Sequence, residues 1–210
     1  MRTRLPALLA ILSLASGPSG CVLKRTPNAR FFALRSVAEA TAEQAAPADA
    51  ILVGVLPVLL PGHLERPQVV TWAGPGEVRI DEFLRWAEPL DAAVGRVVAE
   101  NLGSLLPTHR VIRAPWPGAT PLRCRVRLEL ARFGPQANGD VALAVRWILL
   151  PERSERPYVA RSWSARRTPV RTTQTDADVS AAIEAMSGLL ADLSREVAAA
   201  IVALPEPAPR

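Results

Sequence analysis

The chain has 210 residues, 49% of them hydrophobic, and a formal net charge of +5, which suits one domain with its own core. Arginine outnumbers lysine 24 to 1. Together with 20 prolines and abundant alanine, this bias is typical of a GC-rich genome, so the basic balance does not indicate a nucleic-acid partner.

The first 20 residues have the layout of a secretory leader. Two arginines precede the apolar stretch Leu5–Leu14, and small residues with a proline follow at 16–20. The apolar stretch of about ten residues is too short to span a bilayer, which needs about 20. Residues 1–20 are therefore interpreted as a removable signal peptide, whose loss would lower the net charge to +3.

Cys21 stands directly after these small residues, where a bacterial lipoprotein carries the thiol that is acylated and becomes its first mature residue. Ser19-Gly20-Cys21 fits the usual signal box, although Pro18 stands where an aliphatic residue is usual. The alternative is a plain secretory signal followed by an incidental cysteine. Acylation of Cys21 would leave Cys124 alone and exclude an intrachain disulfide, so the fold would depend on core packing.

The elements begin after a short polar tether at 21–29, which reaches at most about 30 Å when fully extended. Arg30–Ser36 is predicted to be the first strand, and Val37–Asp49 to be a loop. The nearly continuous apolar run Ala50–Val58 is typical of a buried central strand.

Residues 59–90 interleave proline, glycine, tryptophan and charged residues. Two short strands are predicted there, Val69–Trp72 and Val78–Ile80, around a turn of glycine and proline. Pro89 is placed at the first position of a helix that runs to about Leu106. This helix carries one apolar stripe along its length, made of Leu90, Val94, Val97, Val98, Leu102 and Leu105.

The second half carries the clearest strand pattern. His109–Ala114 is a predicted strand. Apolar residues then alternate with polar or small ones over 123–130 and 141–149, on either side of a glycine-containing turn. This period of two predicts a β-hairpin with one buried face. Tyr158–Ala165 is predicted to be the next strand of the meander.

The chain closes with a long helix capped by Thr175 or Asp176. Apolar residues recur every three or four positions as far as Ile201 and form a single docking face. The proline-rich tail at 204–210 is expected to fray. The predicted fold is one α+β domain over 30–203, with a mixed or mostly antiparallel sheet and two main helices packed on one face.

Charge is distributed unevenly along the chain. Residues 110–171 hold 13 arginines against four acids, a local charge of +9, whereas the final helix region at 176–203 is acidic. A basic sheet beside an acidic helix could be internally complementary, or the sheet could face anionic lipid head groups or an acidic partner. A solvated outer sheet face is favoured over a dedicated lipid-binding patch.

Residue combinations that carry catalysis are scarce. His63 and His109 are far apart, and neither has a cysteine or acid at ligand spacing. Cys124 lies on the apolar face of a predicted strand and is interpreted as a buried structural thiol. His63 is placed in a loop as a surface or partner-contact residue. The sequence therefore predicts no enzyme, no cofactor and no metal site.

Two segments between residues 56 and 90 stand out. We call Leu64–Val70 (LERPQVV) the first box and Leu84–Leu90 (LRWAEPL) the second box. Arg66 precedes a proline and is biased to extended geometry, so Pro67 can begin an edge strand that continues through Gln68. Such an edge is a ready site for another chain to pair with.

The second box leaves two roles open for Trp86. The ring is a large amphipathic group between Arg85 and Glu88, a composition common at interface anchors. It could equally be a core lid over the following helix, with Arg85 and Glu88 pairing locally around the helix N-terminus. The candidate partner-binding residues are Arg66, Pro67, Gln68, Arg85, Trp86 and Glu88.

The two boxes together resemble the PqiC-type auxiliary lipoproteins of ABC-linked lipid transport systems. The likeness extends to Phe31-Phe32-Ala33-Leu34, which stands where the family has a strand with two aromatic residues, and to the closing helix over Met186–Ile201. The segment Pro61-Gly62-His63 departs from the family pattern. The resemblance covers nearly all of the chain after the leader.

The resemblance implies a periplasmic lipoprotein that works with an MCE-domain protein and an inner-membrane ABC transporter to move lipids between two membranes. It also implies acylation of Cys21 and docking of the MCE conduit, and members of the family can form homo-oligomeric rings. Val22 is not the aspartate that usually retains lipoproteins at the inner membrane, so outer-membrane sorting is expected. The alternatives are a scaffold of envelope assembly without a transporter and, less favoured, a lipoprotein hydrolase.

Overall fold

The structure is a computed structural model that describes residues 27–37, 51–106, 109–118, 120–170 and 175–205. In these ranges eight strands and two helices form a single mixed domain. The elements are β1 (Arg30–Phe32), β2 (Ile51–Val55), β3 (Gln68–Gly74), β4 (Glu77–Trp86), α1 (Leu90–Leu105), β5 (His109–Arg113), β6 (Leu122–Pro135), β7 (Val141–Leu150), β8 (Val159–Arg167) and α2 (Thr175–Val202).

The larger sheet has five strands in the order β5-β2-β6-β7-β8. Strands β5, β2 and β6 run parallel, whereas β6, β7 and β8 form an antiparallel meander. The apolar run that predicted a buried central strand is β2, and Val53 and Val55 are buried between the strands on either side. That prediction is confirmed.

The predicted hairpin of β6 and β7 is also confirmed. Leu128 pairs with Trp147, and the apolar member of every alternation faces the core because side chains point to opposite faces of a strand in turn. The buried set is Cys124, Val126, Leu128, Leu130, Val141, Leu143, Val145, Trp147 and Leu149.

A separate three-stranded sheet, in the order β1-β4-β3, corrects the prediction of one sheet. Strands β3 and β4 form a hairpin, and β1 pairs parallel with the end of β4. Its link to the larger sheet includes an isolated bridge between Trp72 and Gln136. The sequence predicted two short strands within 59–90. Strand β4 instead has ten residues, because its pairing with β3 extends from the turn to Gln68 and Arg85.

The helices pack against each other, and α2 covers β6, β7 and β8 on the core side of the larger sheet. The predicted stripe of α1 is buried except for Leu105, which is 38% exposed. Pro89 was predicted to be the first helical residue, but it is the N-cap, and α1 begins one residue later at Leu90. Thr175 and Asp176, the two predicted caps, are already helical residues of α2, and residue 174 and the side chains of 175–177 are outside the described part.

The first strand and the start of the C-terminal tail differ from the prediction. Strand β1 stops at Phe32 because the next residues turn to the helices: the Leu34 carbonyl accepts from Arg96 and the Arg35 N–H donates to Ser187. At the other end Leu204 is not frayed. It is buried, and its carbonyl accepts a 2.7 Å hydrogen bond from Arg123.

Complementary charge joins the larger sheet to the last helix. Arg161 and Arg167 of β8 pair with Glu196 and Asp192 of α2 at 3.0 and 2.7 Å. Part of the basic character of 110–171 is therefore neutralised within the domain, as the internally complementary interpretation predicted. The predicted signal peptide, Cys21 and most of the tether lie outside the described residues.

Candidate functional site

The structure brings the two boxes together at one end of the smaller sheet. Gln68 of the first box lies opposite Arg85 of the second, and the Trp86 N–H donates a 2.7 Å hydrogen bond to the Pro67 carbonyl. The Ala87 N–H in turn donates to the Phe32 carbonyl of β1 at 2.8 Å. Two segments that are about twenty residues apart in sequence therefore form one surface.

A cavity of about 430 Å³ opens between the boxes, and we call it the box cavity. Eight of its ten lining residues belong to the boxes, and the lining is apolar with a charged rim. The lining residues are Leu60, Glu65, Arg66, Pro67, Trp86, Ala87, Glu88, Pro89, Leu90 and Asp91. Sequence reasoning missed Leu60 and Asp91, which flank the boxes without belonging to either.

Local backbone geometry shapes one wall of the cavity. The Leu64 N–H donates to the Pro61 carbonyl at 2.8 Å, and this turn buries the Leu64 side chain in the core. The Arg66 N–H donates to the Leu64 carbonyl, after which Pro67 leads into β3. The departure Pro61-Gly62-His63 thus supplies the turn that positions the first box.

An arginine of α1 fixes the opposite wall. The Arg96 guanidinium donates to Glu88 at 2.6 Å, to Glu100 at 3.2 Å and to the Leu34 carbonyl at 2.9 Å. The hydrogen bond with Glu88 is the main reason why the pKa of Arg96 is raised above its ordinary value. Glu88 is therefore held in place at the start of α1 and is not free to swing.

The core interpretation of Trp86 had Arg85 and Glu88 pairing locally around the start of α1. Both do form local ion pairs, Arg85 with Glu82 and Glu88 with Arg96. The Arg85 side chain donates to the Glu82 carbonyl at 2.9 Å and lies 3.6 Å from the Glu82 carboxylate. Gln68 donates to the same carboxylate at 2.9 Å. Arg85 and Gln68 therefore stand outside the cavity lining, on the exposed side of the hairpin.

Trp86 combines the two roles that the sequence left open. The side chain is 6% exposed and belongs to the hydrophobic core, which supports the core interpretation. The same residue lines the box cavity, so an occupant of the cavity would contact it. Of the six predicted partner residues, the cavity gathers Arg66, Pro67, Trp86 and Glu88.

The residues considered for catalysis do not converge. His63 is half-buried, with its ring edge-on to Trp72 at 5.1 Å. Burial, together with the charge of Arg123, lowers the pKa of His109 in β5. Within the described ranges no three of the histidines, cysteines and acids cluster so as to hold a metal ion.

Cys124 is a buried thiol, as predicted. It is fully buried in β6, and burial raises its pKa to about 11. In the Cys21→Ser chain, where Cys124 is the sole thiol, we expect no reaction of the folded protein with a thiol reagent near neutral pH and full reaction after denaturation. Spectrophotometric thiol titration measures this, and rapid labelling of the folded chain would contradict it.

The fold is a single α+β domain, and the box cavity is assembled from two separate sequence boxes. The chain belongs to the family of ABC-type transport auxiliary lipoprotein components, whose model matches residues 32–198. That span contains both boxes and all strands from β2 to β8. The family resemblance of the sequence is therefore confirmed, and the family is one of auxiliary transport components.

Solved structures support the fold. A protein of uncharacterized function is 19% identical with a TM-score of 0.62, and the match covers 81% of this chain and 99% of that one. A Xanthomonas campestris protein is 17% identical with the same TM-score, over 81% and 95% of the two chains. No curated protein matches the chain. Among the described residues no helix has the length and apolarity needed to cross a membrane.

Proposed function

We propose that the chain is a lipid-anchored periplasmic accessory subunit of an ABC/MCE-type intermembrane lipid transport system, which docks the transport conduit at the outer membrane. The observation that carries this proposal is the convergence of both family boxes on one open cavity. The lining combines exposed residues such as Pro67 and Ala87 with the buried Trp86, so an occupant that enters from solvent would reach the apolar core.

The anchor would hold the box cavity close to the membrane. Acylated Cys21 would be followed by a tether that ends where β1 begins at Arg30, a reach of at most about 30 Å. Strand β1 is hydrogen-bonded to the second box through Phe32 and Ala87. The membrane attachment and the cavity lining are thus joined through a single short strand.

The lining suggests which partner group would dock. Leu60, Pro67, Trp86 and Leu90 present apolar surface, and a recess of about 430 Å³ has room for one or two large apolar side chains. Arg66 and Asp91 at the rim would orient the partner backbone or its charged residues. A partner segment that inserts an aliphatic or aromatic anchor is the interface type expected for such a recess.

Filling the cavity should block docking. Ala87 is exposed and lines the cavity, so in the Ala87→Phe variant we expect at least about tenfold weaker binding to the purified MCE-domain protein of the same gene cluster. Ala199→Phe is the matched control, because Ala199 is exposed on α2 and lines none of the described cavities. Binding is measured by biolayer interferometry with the full chain in detergent, and thermal melts check the fold.

Several results would contradict docking at the box cavity. Equal loss of binding in both variants would mean that the added ring acts through stability, and unchanged binding in Ala87→Phe would move the interface elsewhere. If the unsubstituted chain does not bind the MCE-domain protein, the proposed function itself fails. The proposed function includes assembly of the chain into a homo-oligomeric ring. Mass measurement of the complex in detergent tests that assembly.

A further inference from the structure

The outer face of the meander β6-β7-β8 is left without a covering helix in the described part of the chain. The helix α2 packs on the opposite face of these strands. On the outer face two small residues lie side by side, since Ala144 of β7 pairs with Ser164 of β8, and Arg132 of β6 pairs with Ala144 from the other side. The neighbouring row carries Arg146 opposite Ser162.

Three adjoining cavities follow this face, with volumes of about 520, 430 and 410 Å³. The first two share Trp72, Arg132 and Arg166 in their linings. The first and third share Ala131, Ala144 and Ser164. They therefore form one continuous depression, which we call the sheet groove. Its floor is made of small side chains, and longer ones form its rim.

The rim of the sheet groove is positive. The Arg132 guanidinium lies 4.3 Å from the centre of the Trp72 ring and donates to the Gln136 side chain, but it has no ion pair among the described residues. Arg166 is exposed and also lacks an ion pair there. By contrast Arg161 and Arg167, on the other face of the same strand, are both paired.

A single carboxylate, that of Glu129, lines the groove in the described part of the chain. It lies 3.5 Å from the Arg146 guanidinium, so this pair is neutral overall. The remaining lining is uncharged apart from Arg132 and Arg166. Two cations without acidic partners at one end of an uncovered groove are complementary to carboxylates, which arginine binds through two parallel hydrogen bonds.

We propose that the sheet groove binds an acidic segment of a partner protein, with its small residues on the floor and its carboxylates on Arg132 and Arg166. The shape favours a polypeptide over a bilayer, because a broad, nearly flat membrane surface would contact the rim and leave the floor of Ala144 and Ser164 empty. The groove is distinct from the box cavity and shares no lining residue with it, so this inference does not rest on the proposed docking there.

The test uses the full chain in detergent and a fluorescein-labelled peptide of alternating glutamate and alanine, followed by fluorescence anisotropy. The Arg132→Ala, Arg166→Ala double variant is expected to bind at least about tenfold more weakly, with a smaller dependence on salt. The control is Arg110→Ala, Arg113→Ala. It removes the same charge from β5, at the opposite edge of the sheet, where both arginines are exposed and unpaired among the described residues.

Two further arms keep the result decisive. Ser164→Phe fills the floor of the sheet groove without changing its charge and is expected to weaken peptide binding. This variant keeps the contact between Arg132 and the Trp72 ring, so it remains informative if the double variant loses stability. A peptide with glutamine in place of glutamate is expected to bind too weakly to measure. Short-chain phosphatidylglycerol is expected not to displace the acidic peptide.

Each opposite outcome overturns the proposal. Equal losses in the two double variants would reduce the effect to net charge, and equal binding of the glutamine peptide would remove the role of carboxylates. Displacement by phosphatidylglycerol, but not by phosphatidylcholine, would assign the arginines to lipid head groups instead. Full binding by Ser164→Phe would show that the peptide does not enter the groove.

Discussion

Replacing Cys21 with serine is expected to transfer the chain completely from the membrane fraction to the soluble periplasmic fraction. A serine hydroxyl does not form the thioether that carries the lipid, and stable attachment depends on acyl chains that each contribute about 0.8 kcal/mol per buried CH₂. Among the described residues no helix offers a second means of spanning the membrane. We therefore expect an all-or-none change in location.

The same variant should remain folded, because the described core is built from residues 32–204. Fractionation followed by immunoblotting measures the location, and circular dichroism melts measure stability. The matched control is Cys124→Ala, which removes the buried thiol of β6 and should leave the chain in the membrane fraction. A Cys21→Ser chain that stays membrane-bound, or that is unfolded, would contradict the lipid-anchor interpretation.

Sequence patterns were sufficient where one period dominates an element. The core-facing residues of the β6-β7 hairpin could be read one by one from the alternation, although Ala142, Ile148 and Leu150 on the other face of β7 are buried as well. The stripe of α2 was equally clear, because a helix of 28 residues repeats the spacing many times. In such elements burial on one side sets the pattern, and few alternatives compete with it.

The smaller sheet could not be derived in this way. Strand β1 has three residues and pairs parallel with residues 84–86, a contact between segments about fifty positions apart. Strand β4 is half-exposed along much of its length and shows no clean period. Pairing of this kind is decided by tertiary contacts, so composition suggested short strands and could not reveal a second sheet.

The sequence predicted only part of the candidate site's lining and none of its geometry. The boxes named Arg66, Pro67, Trp86 and Glu88, and the structure places all four around one cavity. The contact that orders Glu88 comes from Arg96, two helical turns further on, which no motif indicated. No sequence pattern indicated the sheet groove, because its small floor residues occupy the positions expected for the solvent-facing side of a hairpin.

Gly134 should be among the most sensitive positions in the fold, because it lies where the two sheets meet. Its φ is +149°, a region that other residues avoid. A Cβ built there would lie 2.8 Å from the backbone carbonyl oxygen of Val70 in β3. Since the neighbour is backbone and not a flexible side chain, Gly134→Ala is expected to cost about 3 kcal/mol of unfolding free energy and to lower Tm by about 10 °C.

Gly103→Ala provides the matched control with the opposite sign. Gly103 lies on the exposed side of α1, and a Cβ there would meet nothing within 4 Å. Alanine favours the helix by up to about 1 kcal/mol over glycine, so this variant should be slightly more stable. Urea denaturation of both variants measures the free energies. If Gly134→Ala is as stable as Gly103→Ala, the sheets are not in contact at Val70, and the joint between them lies elsewhere.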